Sequence, residues 1–461
     1  MPPRKARHAG RRGVPSTSPY GRCLSTRRRR HAPSEFIVPL AMQNLFSLYT
    51  EKLIRADLAV AGTPLLGLAE AARDGNNTGP RQPARAPAAA AAPAPAAGGT
   101  ATFVWNRDDP LRAPLERAAR RWERRAVLAA RPPDPYGMIV RHLAAAPGGV
   151  IRPQDFETRV FLTDLPVWKT GREEDLAAAL KKRRGAVTPD GTIIATAKGD
   201  LERAFVIYSA ACFAVFVKFC ADLLPSASGP GPARDRAAGE ILDYIRAYRA
   251  PGGGGPIAAP RLSRGPFTDE AAILRAMAAA GRTTVTAGLV NANFGNISYR
   301  RGDELFITRR GSALDDLDGR IVAVPLPGPS AADAAASIEL PTHRRIVLET
   351  PCRAVLHGHP QFIVILSLDC REGACPHRGE CHRFCPRTRE IAGVPVVSGE
   401  AGAGPYGLDR TVPPAVRKAG AAIVHGHGIF TAAPDDFQAA FARLQQIETS
   451  CRELFWKTVV P

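Results

Sequence analysis

The sequence predicts an α/β protein made of two related globular blocks, and three observations carry that prediction. Strand-like and helix-like periods alternate over residues 101–224 and again over 266–461. The two blocks align with each other when the chain is shifted by 236 positions. Stretches rich in Ala, Pro and Gly separate them from each other and from the N-terminal region. At 461 residues the chain is long enough for two or three domains, each with its own core.

Residues 1–41 hold ten Lys/Arg and one acid, Glu35, so they supply almost half of the net charge of +19. This segment is expected to be a disordered basic tail, or to precede a true start at Met42. The remaining basic residues are scattered Arg without interleaved aromatics, which argues against nucleic acid as the main partner. Residues 42–73 open on an amphipathic pattern, MQNLFSLYTEKLIRADLAV, and are expected to be an N-terminal helical segment followed by an apolar stretch. Residues 74–100 read as an Ala/Pro linker. In the first block a short strand (TFVW) precedes a charged helix over 112–130, and further strands and helices follow. Residues 225–265 read as a second linker carrying one helix, Arg234–Tyr248.

The internal shift lays Val160 on Val396, Gly171 on Gly407, Ala186 on Ala422, Ile193 on Ile429, Asp200 on Asp436 and Phe205 on Phe441. It lays His425 on Pro189 and His427 on Gly191, so the first block lacks those histidines and reads as a structural half.

The longest apolar run, Ala210–Val217, falls short of the roughly 18–20 residues of a membrane span. The basic N-terminus has no clean apolar core of an export signal. The expected location is therefore cytoplasmic, and the nine cysteines read as reduced thiols or metal ligands.

Seven of the ten histidines lie between His343 and His427. In AVLHGHP, His357 and His359 are two residues apart, which places both on one face of a strand. In IVHGHGI, His425 and His427 end a second apolar stretch. Two imidazoles on one face, a third from another strand end and a carboxylate from Glu339 would suit a divalent ion such as zinc.

These residues, taken in order, resemble the class II aldolase/adducin family, which includes fuculose-phosphate aldolase and ribulose-phosphate 4-epimerase. Gly288-Leu289 leading to Gly295-Asn296-Ile297-Ser298 resembles one family element. Leu305–Gly311 resembles its "ITPTG" turn, and Ser337-Ile338-Glu339 with His343 its helix start. AVLHGHP resembles its AVVHxH strand, and His425–Gly428 its final His-Gly turn. The likeness runs over about 266–457. It implies a three-layer α/β/α domain with a central mixed or antiparallel sheet, preceded at 101–224 by a degenerate related domain.

The resemblance implies His357, His359 and His427 as metal ligands, with Glu339 as ligand and acid/base, and His425 and His343 as residues behind them. It implies Gly295, Asn296, Gly311 and Ser337 as an anion cradle. Arg310 and Ile338 replace family residues there, and Arg309 with Arg310 offers guanidinium instead. The implied reaction is cleavage of a small hydroxylated carbonyl substrate, such as a sugar phosphate, through a metal-stabilised enediolate. Epimerase, dehydratase, decarboxylase and non-catalytic adducin-like readings stay open. The region that carries a proton-donating Tyr in fuculose-type aldolases has no match here, and Tyr406 is the candidate substitute. Family members often assemble with active sites between subunits, so a homo-oligomer is expected unless the first block replaces or blocks a neighbour.

One insert departs from the family pattern. Cys370, Cys375, Cys381 and Cys385 are spaced C-x4-C-x5-C-x3-C in a polar loop. Four thiolates this close read as a structural zinc knuckle, with an iron–sulfur cluster as the alternative.

Overall fold

The computed structural model describes residues 38–70, 102–225, 235–247, 261–291 and 293–460. The basic tail before residue 38, the 74–100 linker and much of the 225–265 linker lie outside the described residues. In chain order the elements of the first half are α1 (Leu40–Arg55), β1 (Leu65–Ala69), β2 (Phe103–Trp105), α2 (Arg112–Arg121), β3 (Ala126–Ala130), α3 (Tyr136–Ala145), β4 (Val150–Ile151), α4 (Phe156–Leu162), β5 (Leu165–Pro166), α5 (Glu173–Leu180), β6 (Gly185–Val187), β7 (Ile193–Ala197) and α6 (Leu201–Asp222). Helix α7 (Arg236–Ala247) follows. The second half holds α8 (Glu270–Thr286), β8 (Asn296–Arg301), β9 (Glu304–Thr308), β10 (Ile321–Pro325), α9 (Leu340–Glu349), β11 (Ala354–Gly358), α10 (Gln361–Leu368), β12 (Arg389–Ile391), β13 (Val394–Val397), α11 (Leu408–Ala419), β14 (Ala421–Val424), β15 (Gly428–Ala433) and α12 (Phe437–Val459).

The second half is a three-layer α/β/α domain. Its eight-stranded sheet runs β10-β9-β8-β11-β15-β14-β13-β12. The pairs are antiparallel except β13 with β14, so the sheet is mixed. Alternate side chains of β11 separate the two faces. Val355 joins Ile346, Val347, Val412 and Val416 of α9 and α11 in one core. Leu356 joins Met277, Ile363 and Leu444 of α8, α10 and α12 in the other.

The first half has a five-stranded sheet, β2-β1-β3-β7-β6. One face packs on α2 and α5 through Leu115, Leu176 and Leu180. Its other face shares the large central core with the second half, and α6 packs against α10 there. Helix α6 is the one described helix long and apolar enough to cross a membrane, and 89% of its apolar window is buried inside the protein.

Two local expectations change. The apolar stretch after α1 is strand β1, which pairs with both β2 and β3. Strand β1 therefore belongs to the first sheet, and residues 42–70 are not a separate helical segment. The helix expected over 112–130 stops at Arg121, and the all-buried run Ala126–Ala130 is the central strand β3. Five small apolar residues that are buried on both faces suit a strand sandwiched between helix layers.

The two sheets share more than strand order. In the first, Ala126 faces Ala197 and Ala130 faces Ile193. In the second, Ala354 faces Ala433 and Gly358 faces Ile429. Setting Ala126 on Ala354 keeps every neighbouring pair in register, including β1 on β8, β2 on β9 and β6 on β14. Helix α6 begins at the N-cap Asp200 and α12 at the N-cap Asp436, each aspartate accepting backbone N–H bonds of its own first turn. The expected alignment holds from α5 and α11 onward. It fails at Val160, which lies on α4, whereas Val396 lies on β13.

Candidate metal centre

Strand β11 ends at Gly358, so His357 is its last inward side chain and His359 follows in the turn. His427 sits in the turn from β14 to β15, and β15 is the direct neighbour of β11. Glycine makes this closeness feasible. A Cβ on Gly428 would stand 2.3 Å from the Gly358 carbonyl, and one on Gly295 (φ +85°) 2.6 Å from the His357 carbonyl. His357, His359 and His427 thus place one ring nitrogen each within 4.8 Å of the others, all buried. The ring centroids form a near-equilateral triangle of 4.7, 4.9 and 5.1 Å. A phenylalanine backs each ring: Phe430 stacks on His357 at 4.1 Å, Phe294 on His359 at 5.6 Å, and Phe156 tilts against His427 at 6.4 Å.

Protonation follows from the partners. The Nδ1 of His357 lies 3.0 Å from the Ile429 carbonyl, which can only accept, so the proton sits on Nδ1 and the Nε2 lone pair faces the cluster. Burial pushes His357 and His427 down to about 4 and His359 well below its ordinary value. All three are neutral near pH 7, as imidazole ligands must be.

Glu339, the N-cap residue of α9, brings its carboxylate 3.3 Å from His357 Nε2 and 3.7 Å from His427 Nε2. Burial raises its pKa, while His427 and the hydrogen bond from Asn296 pull the other way. Its Oε1 is buried without a hydrogen-bond partner. Behind it runs a relay with one consistent polarity. Ser298 Oγ–H donates to His343 Nδ1 at 2.7 Å, His343 Nε2–H donates to the Asn296 carbonyl oxygen, and the Asn296 amide donates to Glu339 Oε2 at 2.7 Å. Burial pushes His343 down to about 3, so it stays neutral.

Several expected roles move. Asn296 was expected in an anion cradle, but both ends of its amide are committed to His343 and Glu339. Ser337 is buried and accepts the Glu339 backbone N–H. Gly311 (φ +73°) and Arg310 line a cleft between the halves with Phe161, Arg184 and Phe294, and Arg309 is exposed outside that lining. His425 turns away from the trio, its Nδ1 accepting from Arg389 at 3.2 Å. Tyr406 is 49% exposed in the loop before α11, and no hydrogen bond or ring contact joins it to the histidines. Cys370, Cys375 and Cys381 line a separate cavity of about 200 Å3 with His382 and His425. Burial raises the Cys381 pKa, and Cys370 and Cys385 raise it further. Among the described residues the histidine trio is the one group of ligand atoms within 4.8 Å of one another, and the four sulfurs do not close to that spacing.

The first half contributes residues that sequence reasoning missed. Helix α4 lies against the His425–Gly428 turn, with the Phe156 N–H donating to the Gly426 carbonyl at 2.6 Å. Glu157 Oε2 stands 3.5 Å from His427 Nε2, with its side chain 31% exposed. Burial, Glu339 and Asp155 raise its pKa to about 7. Asp155 followed by Thr158 signals a helix start, but no local pattern says that this helix meets a turn in the other half.

Residues 275–455 match the model of the family described as Class II Aldolase and Adducin N-terminal domain. The match lies within the second half of the chain and spans less than half of its 461 residues. Among solved structures, L-fuculose-1-phosphate aldolase from Thermus thermophilus is 25% identical, covering 41% of this chain and 93% of its own, with a TM-score of 0.31. YgbL from Klebsiella pneumoniae is 22% identical, covering 41% and 91%, with a TM-score of 0.34. A sugar-phosphate aldolase from Thermotoga maritima is 19% identical, covering 40% and 94%, with a TM-score of 0.29. No curated protein matches the chain.

Proposed function

We propose that the protein is a divalent-metal-dependent lyase of the aldolase type, acting on a small hydroxylated carbonyl substrate such as a sugar phosphate. The observation that carries this is the trio of neutral, buried imidazoles with the Glu339 carboxylate beside two of them. The donor set fits zinc or a similar ion, and Glu339 Oε1 is a buried oxygen with no hydrogen-bond partner. His357, His359 and His427 would hold the ion, with Glu339 as a further ligand or acid/base. When bound, the ion supplies Lewis-acid stabilisation of negative charge on a substrate oxygen. The chain's own part is proton handling. The relay from Ser298 fixes Glu339 Oε2 as an acceptor, which leaves Oε1 to take a proton from a substrate carbon or hydroxyl and return it. Arg310 in the cleft would pair with a phosphate or carboxylate.

No tyrosine contacts the histidines among the described residues, and this favours epimerisation on the same site as the second reading. Product analysis separates the two, since cleavage gives two fragments and epimerisation one isomer. The test of the metal assignment is elemental analysis with turnover of wild type and His357→Ala. Unchanged metal content and rate in the variant would sink it.

We also infer that the four-cysteine loop is a zinc knuckle. In that loop the cysteines are half-buried while Arg371, Pro376, Glu380 and Phe384 are exposed, so the thiols are its inward side chains. A loop with so little apolar interior gains its order from a metal. About two zinc per chain supports both sites, and iron with broad visible absorption would make the loop a cluster. We further infer that the first half is a degenerate copy of the second, that the protein is cytoplasmic, and that it joins homo-oligomers. Sedimentation at several concentrations tests the last point.

A further inference from the structure

Helix α4 is the one described element of the first half whose side chains reach His427. It is set there through its first turn. Asp155, buried to 1% exposure, caps it by accepting the Thr158 N–H at 2.8 Å. The Phe156 N–H, which the helix leaves unsatisfied, donates to the Gly426 carbonyl at 2.6 Å. Gly426 permits that approach: its φ is +61°, and a Cβ there would lie 3.0 Å from Leu368 and 3.4 Å from the Phe156 nitrogen. The Phe156 ring then stacks on His382 at 5.0 Å and leans on His427.

This seating aims Glu157 at the metal centre. Its Oε2 is 3.5 Å from His427 Nε2, and Glu339 Oε1 is 3.7 Å from the same nitrogen. Among the described residues, His427 is the only ion-pair or hydrogen-bond partner of Glu157, and no Lys or Arg forms an ion pair with either carboxylate. A cation placed between these two carboxylates and the imidazole nitrogen would relieve their mutual repulsion. Two donors held at about 2.0–2.1 Å on one four-coordinate ion stand about 3.4 Å apart, close to the 3.5 and 3.7 Å that separate Glu157 and Glu339 from His427 Nε2.

We propose that Glu157 is a carboxylate ligand of the metal centre, delivered by the first half of the chain. The first half thereby completes the site: it adds one negative donor and closes one side with Phe156. This inference rests on the proposed metal assignment of the histidine trio.

The test is zinc affinity, measured on the full chain by competition with a chromophoric chelator, together with the visible spectrum of the cobalt-substituted protein. Glu157→Gln is expected to weaken zinc at least tenfold and to shift the cobalt bands, while Glu174→Gln, an exposed change on α5, binds like wild type. Wild-type affinity and an unshifted cobalt spectrum in Glu157→Gln overturn the proposal. If Glu157→Gln fails to fold, Glu157→Asp takes its place: a carboxylate withdrawn by one methylene shifts the cobalt bands if it is a ligand, and unshifted bands overturn the proposal. If His357→Ala binds zinc as wild type does, or wild type binds none, the metal assignment itself fails, and that outcome is distinct from a defect confined to Glu157.

Discussion

The central strands of the two sheets read Ala126-Val127-Leu128-Ala129-Ala130-Arg131-Pro132 and Ala354-Val355-Leu356-His357-Gly358-His359-Pro360, and they occupy the same place and register. The difference lies at three positions. Ala129 stands where His357 is, Ala130 where Gly358 is, and Arg131 where His359 is. In the facing turn, Asp190 stands where Gly426 is and Gly191 where His427 is. In the first half Arg131 pairs with Asp190 at 2.7 Å, near the surface. Burial pushes Asp190 up, but hydrogen bonds from Thr188, Arg131 and Thr192 outweigh it and hold the carboxylate below its ordinary value. One scaffold thus closes its strand end with an ion pair that satisfies itself. The other presents three neutral imidazoles with lone pairs and unpartnered atoms. The fold tolerates either, so the chemistry resides in the few side chains at the strand ends.

The largest expected effect comes from making the second half resemble the first. His357→Ala recreates Ala129 and is expected to lose the metal of the histidine centre, leaving only that of the cysteine loop, and to abolish turnover, read by elemental analysis and product assay. Metal content equal to wild type would break the comparison, because the two strand ends would then differ in sequence without differing in function.

Acid is the next lever, applied to metal-free protein. The His427 pKa is about 4 in the fold, and the ordinary value is 6.5. The unfolded chain therefore binds a proton first as pH falls, so the stability tied to neutral His427 is present above 6.5 and is lost as pH drops toward 4. The loss is on the order of 3 kcal/mol for one group. Denaturant midpoints for wild type should fall more steeply over this window than those for His427→Asn. Equal slopes would mean that burial does not hold this imidazole neutral.

Much of this was legible in the sequence. The alternation in AVLHGHP, the His-Gly-His turn and the start of α9 identified the trio and Glu339, because each lies at the end of a strand or helix whose pattern is local. The repeat was legible only in part. From α5 onward the copies keep one offset, so the shift carries β6, β7 and α6 onto β14, β15 and α12. The match of β3 to β11 needs an offset of 228 positions, so a gapless shift of 236 passed over it. Strand β1 was hidden because its partner β2 lies beyond the Ala/Pro stretch. The motif names Asn296 but not the direction of its amide, which here links His343 to Glu339. Glu157 was invisible for a stronger reason: its role depends on how the two halves pack, and no spacing along one chain encodes that distance.

A smaller effect is expected at the turn that joins the halves. Gly426→Ala forces a side chain into φ +61°, which costs about 1–2 kcal/mol for a residue with a Cβ, and it crowds Leu368 and Phe156. Stability should fall by at least that amount, and zinc affinity should fall with it if α4 carries a ligand. Lost stability with unchanged zinc affinity would limit the Phe156–Gly426 contact to packing.

The smallest effect is expected at Arg131→Ala, the counterpart of His359. The pair it breaks is half exposed, with side chains 49% and 54% accessible, so screening leaves it worth less than about 1 kcal/mol. Asp190 keeps its bonds from Thr188 and Thr192 after the change, so no buried charge is stranded. Metal content and turnover should match wild type. His359→Ala, at the same place in the other sheet, should lose metal. Equivalent positions with opposite consequences would mark the first half as a scaffold that supports the centre through α4 and not through its own strand ends. A loss of turnover in Arg131→Ala would instead mean that the first strand end faces the substrate, and the division of labour between the halves would have to be redrawn.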